Sequence, residues 1–419
     1  MAKKKVFELS RIGGIIDDIA KKIPIQYVKE DSETDRISTG IYVLNACLSG
    51  SLWGGIKADA ITAFAGPESS GKTFLSLNAC REAQKLGYSI VYIDTENSIS
   101  RYDISHYGIN TERDYFHLIK SNNVEEINMS ITQILDPLKE AKADGYETPK
   151  MMFVLDSLAQ LASTKEKEDL KSGKMKQDMT KAKAIGSMFR SITMDLAFLQ
   201  IPMIVNNQTY QTMDLFPQEI MKGGRSLYYS ASNITFLSKA KLKTGEEDEY
   251  DMQSGIIVTA KAVKNRQAKP KKVKFQIDFD KGCNAYMGLE MFCRPELFNR
   301  VGIAKGKWEE YKTPIEVVDQ ATGEVKLKYG EFKPGGNRWY VRHLDKSVFT
   351  KSLYTSEIFT QEVLESIEPI ANAYFRYKSF DEIEEVHKEL EDAAKNNDGE
   401  FDDMDLDTLD ASDLLDSDD

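Results

Sequence analysis

The chain of 419 residues is 41% hydrophobic and 10% aromatic, which is enough for a sizeable core and too long for one small domain. Its four cysteines show no close pair and no CxxC spacing, which argues against a disulfide framework or a zinc site. No stretch approaches the roughly 18 consecutive apolar residues of a membrane helix, and no secretory signal follows the basic start. We expect a soluble protein of the cytoplasm.

The formal net charge of −12 is unevenly distributed. Residues 381–419 contain 18 acidic residues against two lysines, a net charge of −16, which leaves +4 on the other 380 residues. Blocks of like charge repel and stay solvated, so this segment is expected to be a largely disordered acidic tail. A solubilising role and a regulatory role both remain open for it.

Along the chain, residues 1–35 are expected to form a short helical arm for oligomerisation with a polar connector. Buried strands are then predicted at 58–66, 88–96, 150–158 and 202–208, with helices at 72–86, 99–107, 123–143 and about 180–199. Further strands are predicted at 232–238, 255–263 and 271–279. Apolar runs without alternation, interleaved with helices, favour an α/β fold with a mostly parallel sheet covered on both faces.

The predicted domains are the arm (1–35), an α/β core (36–290), a small C-terminal subdomain (291–380) and the acidic tail (381–419). Residues 286–380 have a mixed pattern, with two predicted helices and a glycine-rich segment, KPGGNRWY.

The segment GPESSGKT fits the phosphate-loop pattern G-x-x-x-x-G-K-[ST], and it stands between a predicted strand and a predicted helix. Its glycines let several backbone N–H groups face one anion, and the helix directs its positive N-terminal end to the same place. The lysine can reach the β- and γ-phosphates, and the threonine hydroxyl can ligate Mg²⁺. The sequence therefore predicts a Mg-ATP site at Gly66, Pro67, Glu68, Ser69, Ser70, Gly71, Lys72, Thr73 and Phe74.

Two carboxylates end the strands beside this loop. Asp156 ends the apolar run MMFVL and is expected to support Mg²⁺, with an N-cap role as the alternative. Glu96 ends SIVYIDTE, at the sheet edge where parallel strands bind ligands, and is expected to act on the attacking water. Asp94 lies two residues earlier on the same face and can instead be buried and hydrogen-bonded.

Six segments in this order resemble the RecA recombinase family, particularly UvsX-type phage recombinases: GPESSGKT, VYIDTEN, FVLDSLAQL, IVNNQTYQT, KGGRSLYYSAS and AVKNRQAKPKKVKFQIDF. The resemblance covers about residues 37–290 and implies a RecA-type P-loop ATPase core. It implies a DNA-dependent ATPase that forms helical filaments on single-stranded DNA and catalyses homologous pairing and strand exchange.

The resemblance also assigns roles to matching positions. Glu96 would activate the attacking water, Asp156 would support Mg²⁺, and Gln208 would sense the γ-phosphate. Lys264 and Arg266 would reach into the ATP site of the neighbouring subunit.

The family's adenine-stacking tyrosine has a less direct match. Tyr102 is its candidate here, although it stands one residue before the family position, which Asp103 occupies.

Two segments are predicted to face DNA. Residues 163–180, after the Asp156 strand, are rich in lysine, and residues 209–226, after Gln208, combine cations with aromatic, apolar and glycine residues. Cations follow phosphates and ring faces stack on bases, so this composition suits single-stranded DNA without sequence preference. The candidate DNA-binding residues are Lys165, Lys174, Lys176, Tyr210, Met213, Phe216, Lys222, Gly223, Gly224 and Arg225.

Two other functions share this core. A hexameric DNA helicase would form closed rings, and a non-hydrolysing ATP-dependent clamp or mediator would lack turnover. The expected partners are single-stranded DNA, homologous duplex DNA, further copies of the chain, and single-strand-binding and mediator proteins, without a membrane. A phage-encoded protein would work in the host cytoplasm.

Overall fold

The computed structural model describes residues 36–173, 180–213, 217–241, 254–318, 325–379 and 382–383. Its contacts divide the chain into two units, Met1–Arg36 and Ile37–Asp419, and the architecture below is that of the second unit, whose first strand starts at the boundary residue Arg36. The predicted N-terminal arm and nearly all of the acidic tail lie outside the described residues. No helix in the described part of the chain is long and apolar enough to cross a membrane.

The predicted α/β class is confirmed. Two short strands, β1 (Arg36–Ile37) and β2 (Ile56–Lys57), pair with each other. Among the described residues, ten strands form the main sheet: β3 (Ile61–Gly66), β4 (Ser89–Asp94), β5 (Phe116–Lys120), β6 (Met151–Asp156), β7 (Met203–Gln211), β8 (Glu219–Met221), β9 (Asn233–Lys241), β10 (Gly255–Asn265), β11 (Lys272–Asp278) and β12 (Gly282–Cys283).

The order of the main sheet is β12–β11–β10–β9–β3–β7–β6–β4–β5, and β8 pairs with the end of β7. The six strands from β9 to β5 in this order are mutually parallel, whereas β10, β11 and β12 continue from β9 as an antiparallel meander. The carboxyl ends of the parallel strands therefore share one edge, where ligands bind in open α/β sheets.

Helices cover both faces of this sheet. In chain order they are α1 (Tyr42–Ser49), α2 (Lys72–Lys85), α3 (Arg101–His106), α4 (Val124–Ala143), α5 (Thr164–Lys171), α6 (Thr180–Leu199) and α7 (Ser226–Ser230). On β4, Ile90 and Tyr92 pack into one cluster with α1 and α2, while Val91 and Ile93 pack into another with α4 and α6. Both faces of the strand are buried, which explains an apolar run without alternation.

The C-terminal part is more β-rich than its sequence pattern predicts. It contains α8 (Phe298–Val301), β13 (Ile303–Val318), β14 (Val325–Val341), β15 (Lys346–Phe349) and α9 (Gln361–Phe375). β13 and β14 form a long antiparallel ribbon, with β15 paired only at its base. Short 3₁₀ turns occur at Leu158–Gln160, Leu289–Phe292, Pro295–Leu297, Arg342–Leu344 and Thr350–Ser352.

Candidate nucleotide site and DNA-facing surface

The phosphate loop leaves the carboxyl end of β3 and enters α2. Gly71, just before the helix, has a φ of +91°, a conformation that favours glycine. A Cβ on Gly66 would lie 2.3 Å from the carbonyl oxygen of Leu237 on β9, so a side chain cannot be accommodated there. Both glycines of the motif are therefore required by the backbone path.

Lys72 is the first residue of α2 and is only 9% exposed. Its ammonium donates to the carbonyl oxygens of Gly66 at 2.9 Å and Pro67 at 2.7 Å, within the loop itself. Burial lowers the pKa of Lys72 below its ordinary value, and the nearby carboxylates of Asp156 and Glu96 oppose this shift. A buried ammonium bonded to neutral oxygens is under-compensated, so the loop fits a phosphate anion.

Asp156 sits at the carboxyl end of β6 and connects two elements of the site. One of its oxygens, Oδ2, accepts hydrogen bonds from Thr73 Oγ1 at 2.6 Å and from the hydroxyl of Tyr92 at 2.7 Å. Burial raises the pKa of Tyr92 well above its ordinary value, and Asp156 raises it further, so the phenol remains a donor. A hydroxyl and a carboxylate oxygen in contact form a donor set that suits Mg²⁺.

The carboxylates of Glu96 and Asp94, two residues apart, have different hydrogen-bond partners. Asp94 accepts three backbone N–H bonds, from Glu96 at 3.1 Å, Ser98 at 3.3 Å and Ile99 at 3.1 Å, and so organises the loop after β4. Glu96 Oε1 accepts a bond from Ser157 Oγ at 2.6 Å, which brings its carboxylate beside the end of β6. Of these two carboxylates, Glu96 is therefore the one available to a ligand at this edge.

Gln208 lies opposite Gly66 in the register of β3 and β7, so it is level with the start of the phosphate loop. Its side-chain oxygen accepts a bond from Lys222 Nζ at 2.8 Å, and its backbone oxygen accepts one from Lys222 N at 2.9 Å. Asn207 donates to the carbonyl oxygen of Lys222 at 2.8 Å. The residue beside the phosphate loop is thus tied to one residue of the predicted second DNA loop.

A cavity of about 330 Å³ opens beside the phosphate loop. Its walls include Phe74, Tyr107, Ile277 and Phe279. The rings of Phe74 and Tyr107 pack edge to face, with 5.3 Å between their centroids. Tyr107 and Phe279 were missed by the sequence analysis, because they come from segments about 170 residues apart that only the fold brings together. Tyr102 lies on α3, and its side chain is outside the described part of the structure.

The first predicted DNA loop is partly helical. Residues Thr164–Lys171 form α5, which carries Lys165, and α6 begins at Thr180. Lys174 and Lys176 lie outside the described residues. The amino half of this predicted loop therefore forms a charged helix.

The second predicted DNA loop is a β-hairpin followed by a turn. Thr209–Gln211 pair with Glu219–Met221, and near the hairpin tip Met213 is fully exposed while Tyr210 is 48% exposed. Ile220 is also exposed and was not predicted, whereas Phe216 lies outside the described residues.

After β8, residues Lys222–Arg225 form a glycine turn, which leads directly into α7. Gly223 and Gly224 have φ values of +85° and +83°. A Cβ on Gly223 would contact Leu158, just after β6, at 3.5 Å, and Ile185 of α6 at 3.8 Å. The glycine turn therefore lies beside the elements that flank the first predicted DNA segment.

Lys264 and Arg266, here called the cation pair, lie away from the phosphate loop of their own chain. Asn265, between them, is level with Asn233 on β9 and, through β9, with Thr62 on β3. That position is about 13 Å along β3 from Gly66 and toward the opposite edge of the sheet. The cation pair therefore lies too far along the sheet to belong to the phosphate loop of its own chain.

The chain matches the family model described as RecA N-terminal domain over residues 16–284. It is 31% identical over 262 residues to "Recombination and repair protein" of Enterobacteria phage T4, covering 62% of this chain and 63% of that protein. It is 29% identical over 252 residues to "DNA repair protein recA homolog 3, mitochondrial" of Arabidopsis thaliana, covering 58% and 54%. Less than two thirds of the phage and plant proteins is therefore matched.

A bacterial relative is matched over more of its length. The chain is 29% identical over 310 residues to "Protein RecA" of Mycoplasmopsis pulmonis, covering 72% of this chain and 84% of that protein. The family match spans more than half of the chain and includes the phosphate loop, Glu96, Asp156, Gln208 and the cation pair. The chain belongs to the RecA N-terminal domain family.

Proposed function

We propose that this protein is a DNA-dependent ATPase that forms helical filaments on single-stranded DNA and catalyses homologous pairing and strand exchange. The observation that carries the proposal is the bond between Gln208 and Lys222 at 2.8 Å. It joins the strand end beside the phosphate loop to the base of an exposed hairpin. Recombination and repair relatives in the same family support this function.

ATP is proposed to bind along the phosphate loop from Gly66 to Phe74, with its phosphates at Lys72 and its base in the cavity lined by Tyr107 and Phe279. Tyr102 is a further candidate for contact with the base. Thr73 and Asp156 would hold Mg²⁺, which when bound neutralises phosphate charge and favours departure of the leaving group.

Glu96 is proposed to orient and deprotonate the attacking water. Its carboxylate stands at the carboxyl edge of the sheet beside Asp156, and the Ser157 hydroxyl fixes its direction. Lys72 would exchange its carbonyl partners for the phosphates, whose negative charge attracts the ammonium more strongly than a neutral carbonyl does.

Gln208 is proposed to convert phosphate contact into a change of the second loop. Its side-chain amide would bond the terminal phosphate and thereby alter its contact with Lys222. The cation pair would contact the same phosphate from the adjacent subunit, so that closure of the interface depends on its charge.

Single-stranded DNA is proposed to bind the surface made by the two loops. Tyr210 and Met213, with Phe216, would meet the bases, while Lys222 and Arg225 would meet phosphates beside the flexible Gly223 and Gly224. Lys165, Lys174 and Lys176 would extend the cationic surface. Phosphate contacts and stacking carry no base code, so little sequence preference is expected.

The proposed protein has four parts: an oligomerisation arm (1–35), the ATPase core (36–290), a small subdomain (291–380) and an acidic tail (381–419). The proposal further includes cooperation with single-strand-binding and mediator proteins, and action in the cytoplasm, or in the host cytoplasm for a phage protein.

Electron microscopy of the chain with single-stranded DNA and ATP tests this function directly, alongside a strand-exchange assay between circular single strands and linear duplex. Helical filaments with exchange products are expected, and the Lys72→Ala chain serves as the control. Closed rings with unwinding would instead indicate a helicase. Nucleotide-dependent DNA binding without turnover or exchange would indicate a clamp or mediator.

A further inference from the structure

The cation pair holds the C-terminal end of α7 within its own chain. The Lys264 ammonium donates to the backbone oxygens of Tyr228 and Tyr229, the latter at 3.3 Å, and Arg266 donates to the Tyr229 oxygen at 3.4 Å. These carbonyls belong to a helix of five residues, whose last turn has no intrahelical donors left for them. Cations at this position are also stabilised by the negative C-terminal end of the helix dipole. The pair therefore caps α7.

Neither cation has a carboxylate partner among the described residues. Burial lowers the pKa of Lys264, and the like charge of Arg266 lowers it further. The ammonium also lies 5.2 Å from the ring centre of Tyr228. Two like charges bonded to neutral carbonyls would transfer readily to a phosphate anion, because charge–charge attraction exceeds charge–dipole attraction at the same distance.

α7 connects the cation pair to the second DNA loop. The helix follows the glycine turn directly, and Tyr229 N donates to the carbonyl oxygen of Arg225 at 3.2 Å. Leu227 anchors the helix in the core, whereas Tyr229 is 64% exposed. At its other end the turn is tied through Lys222 to Gln208. The turn is thus held from two sides by different groups.

We infer that Lys264 and Arg266 are positioning residues for the second DNA loop in addition to their proposed contact with phosphate. In a chain without a neighbour's nucleotide they cap α7. Contact with the terminal phosphate of the adjacent subunit removes the cap and frees the glycine turn to rearrange on DNA. Each second loop then responds to two nucleotides, its own through Gln208 and the neighbour's through the cation pair. This inference rests on the proposed function for the contact between subunits.

Hydrogen exchange of the full chain without nucleotide or DNA tests the cap. In the double variant Lys264→Met with Arg266→Met, the amides of Tyr229 and Ala231, which close α7, should exchange about fivefold faster, the effect of losing a charged helix cap. The control is Lys261→Met, which removes an exposed lysine from the same strand three residues earlier. Amides of β10 report that the sheet is intact. Unchanged exchange at Tyr229 and Ala231 would refute the cap.

A second measurement separates a switch from a fixed structural contact. Tripolyphosphate is added to two chains that both carry Lys72→Ala, so that their own phosphate loops do not transmit the response. The chain with the cation pair should show faster exchange at Tyr229 and Ala231, and the chain with the double Met substitution should show no change. Unaltered exchange in both chains would refute release by phosphate.

Turnover separates this inference from the function on which it rests. DNA-stimulated ATPase activity of the double Met variant is measured beside its hydrogen exchange. Lost turnover with unchanged α7 amides would refute the cap alone. Normal turnover would refute the contact between subunits, and with it the release step, whichever way the amides behave.

Discussion

The proposed phosphate site and the proposed DNA-facing surface lie at one edge of the sheet, but their side chains differ in burial and in hydrogen bonding. Asp156 is 4% exposed, and its Oδ2 accepts hydrogen bonds from the hydroxyls of Thr73 and of the buried Tyr92. Tyr210 and Met213 are exposed on a hairpin in which three residues of each strand pair. The proposed phosphate site is thus held in place by contacts within one chain, whereas the hairpin presents exposed side chains to the proposed ligand.

The largest effect is expected where preorganisation matters most. Lys72→Ala should lower DNA-stimulated ATP hydrolysis by about 10³-fold or more, because it removes a buried cation from the developing phosphate charge. Phosphate release at saturating single-stranded DNA measures this. Lys85→Ala, which removes an exposed lysine of the same helix, should have no such effect. Normal turnover of Lys72→Ala would invalidate the phosphate-loop assignment.

Glu96→Gln should reduce turnover by about 10²-fold while ATP affinity is retained, because the amide keeps the shape but cannot take a proton. Single-turnover hydrolysis and equilibrium binding of ATP together separate these two quantities. Glu82→Gln, which changes a carboxylate of α2 that is paired with Arg81 and Lys85, is the matched control. If binding and hydrolysis weaken equally, Glu96 holds the ligand rather than acting on water.

Stability offers a direct contrast between the two regions. Tyr92→Phe leaves a buried acceptor on Asp156 with one donor fewer, so it should lower the free energy of unfolding by about 1–2 kcal/mol. Tyr210→Phe, which changes the same atom at an exposed position, should change it by less than about 0.5 kcal/mol. Urea unfolding of both variants measures the difference. Equal values would mean that the buried cluster is not more tightly organised than the hairpin.

The same contrast governs what the sequence can predict. The buried strands β3, β4 and β6 agree with their predicted positions to within a few residues, because a doubly buried strand has a local signature. The ribbon of β13 and β14 has no such signature. Its base is buried at residues such as Ile303 and Val341, but Lys312 to Val317 are exposed on both sides of the strand, and charged residues fill segments such as KGKWEEYK.

The residues of the candidate site also divide into those that the sequence predicts and those that only the structure identifies. Those within a motif, from Gly66 to Phe74, follow from local spacing, and Glu96 and Asp156 follow from their places at strand ends. Tyr107 and Phe279 do not, since only the tertiary fold brings them into one cavity. The contact between Gln208 and Lys222 could not be predicted from the sequence either, because it depends on the register of the hairpin.

The smallest expected effect concerns that contact, which joins the two regions. Lys222→Ala should weaken binding of single-stranded DNA only a few-fold and reduce the slope of log affinity against log salt by about one, as for the loss of one phosphate contact. It should also reduce the difference between affinities measured with and without a non-hydrolysable ATP analogue, because Gln208 loses its partner on the loop. Lys85→Ala should alter neither quantity. A reduced salt slope with an intact nucleotide effect would mean that Lys222 contacts DNA but does not transmit the state of the phosphate site, so that the two regions communicate through the cation pair instead.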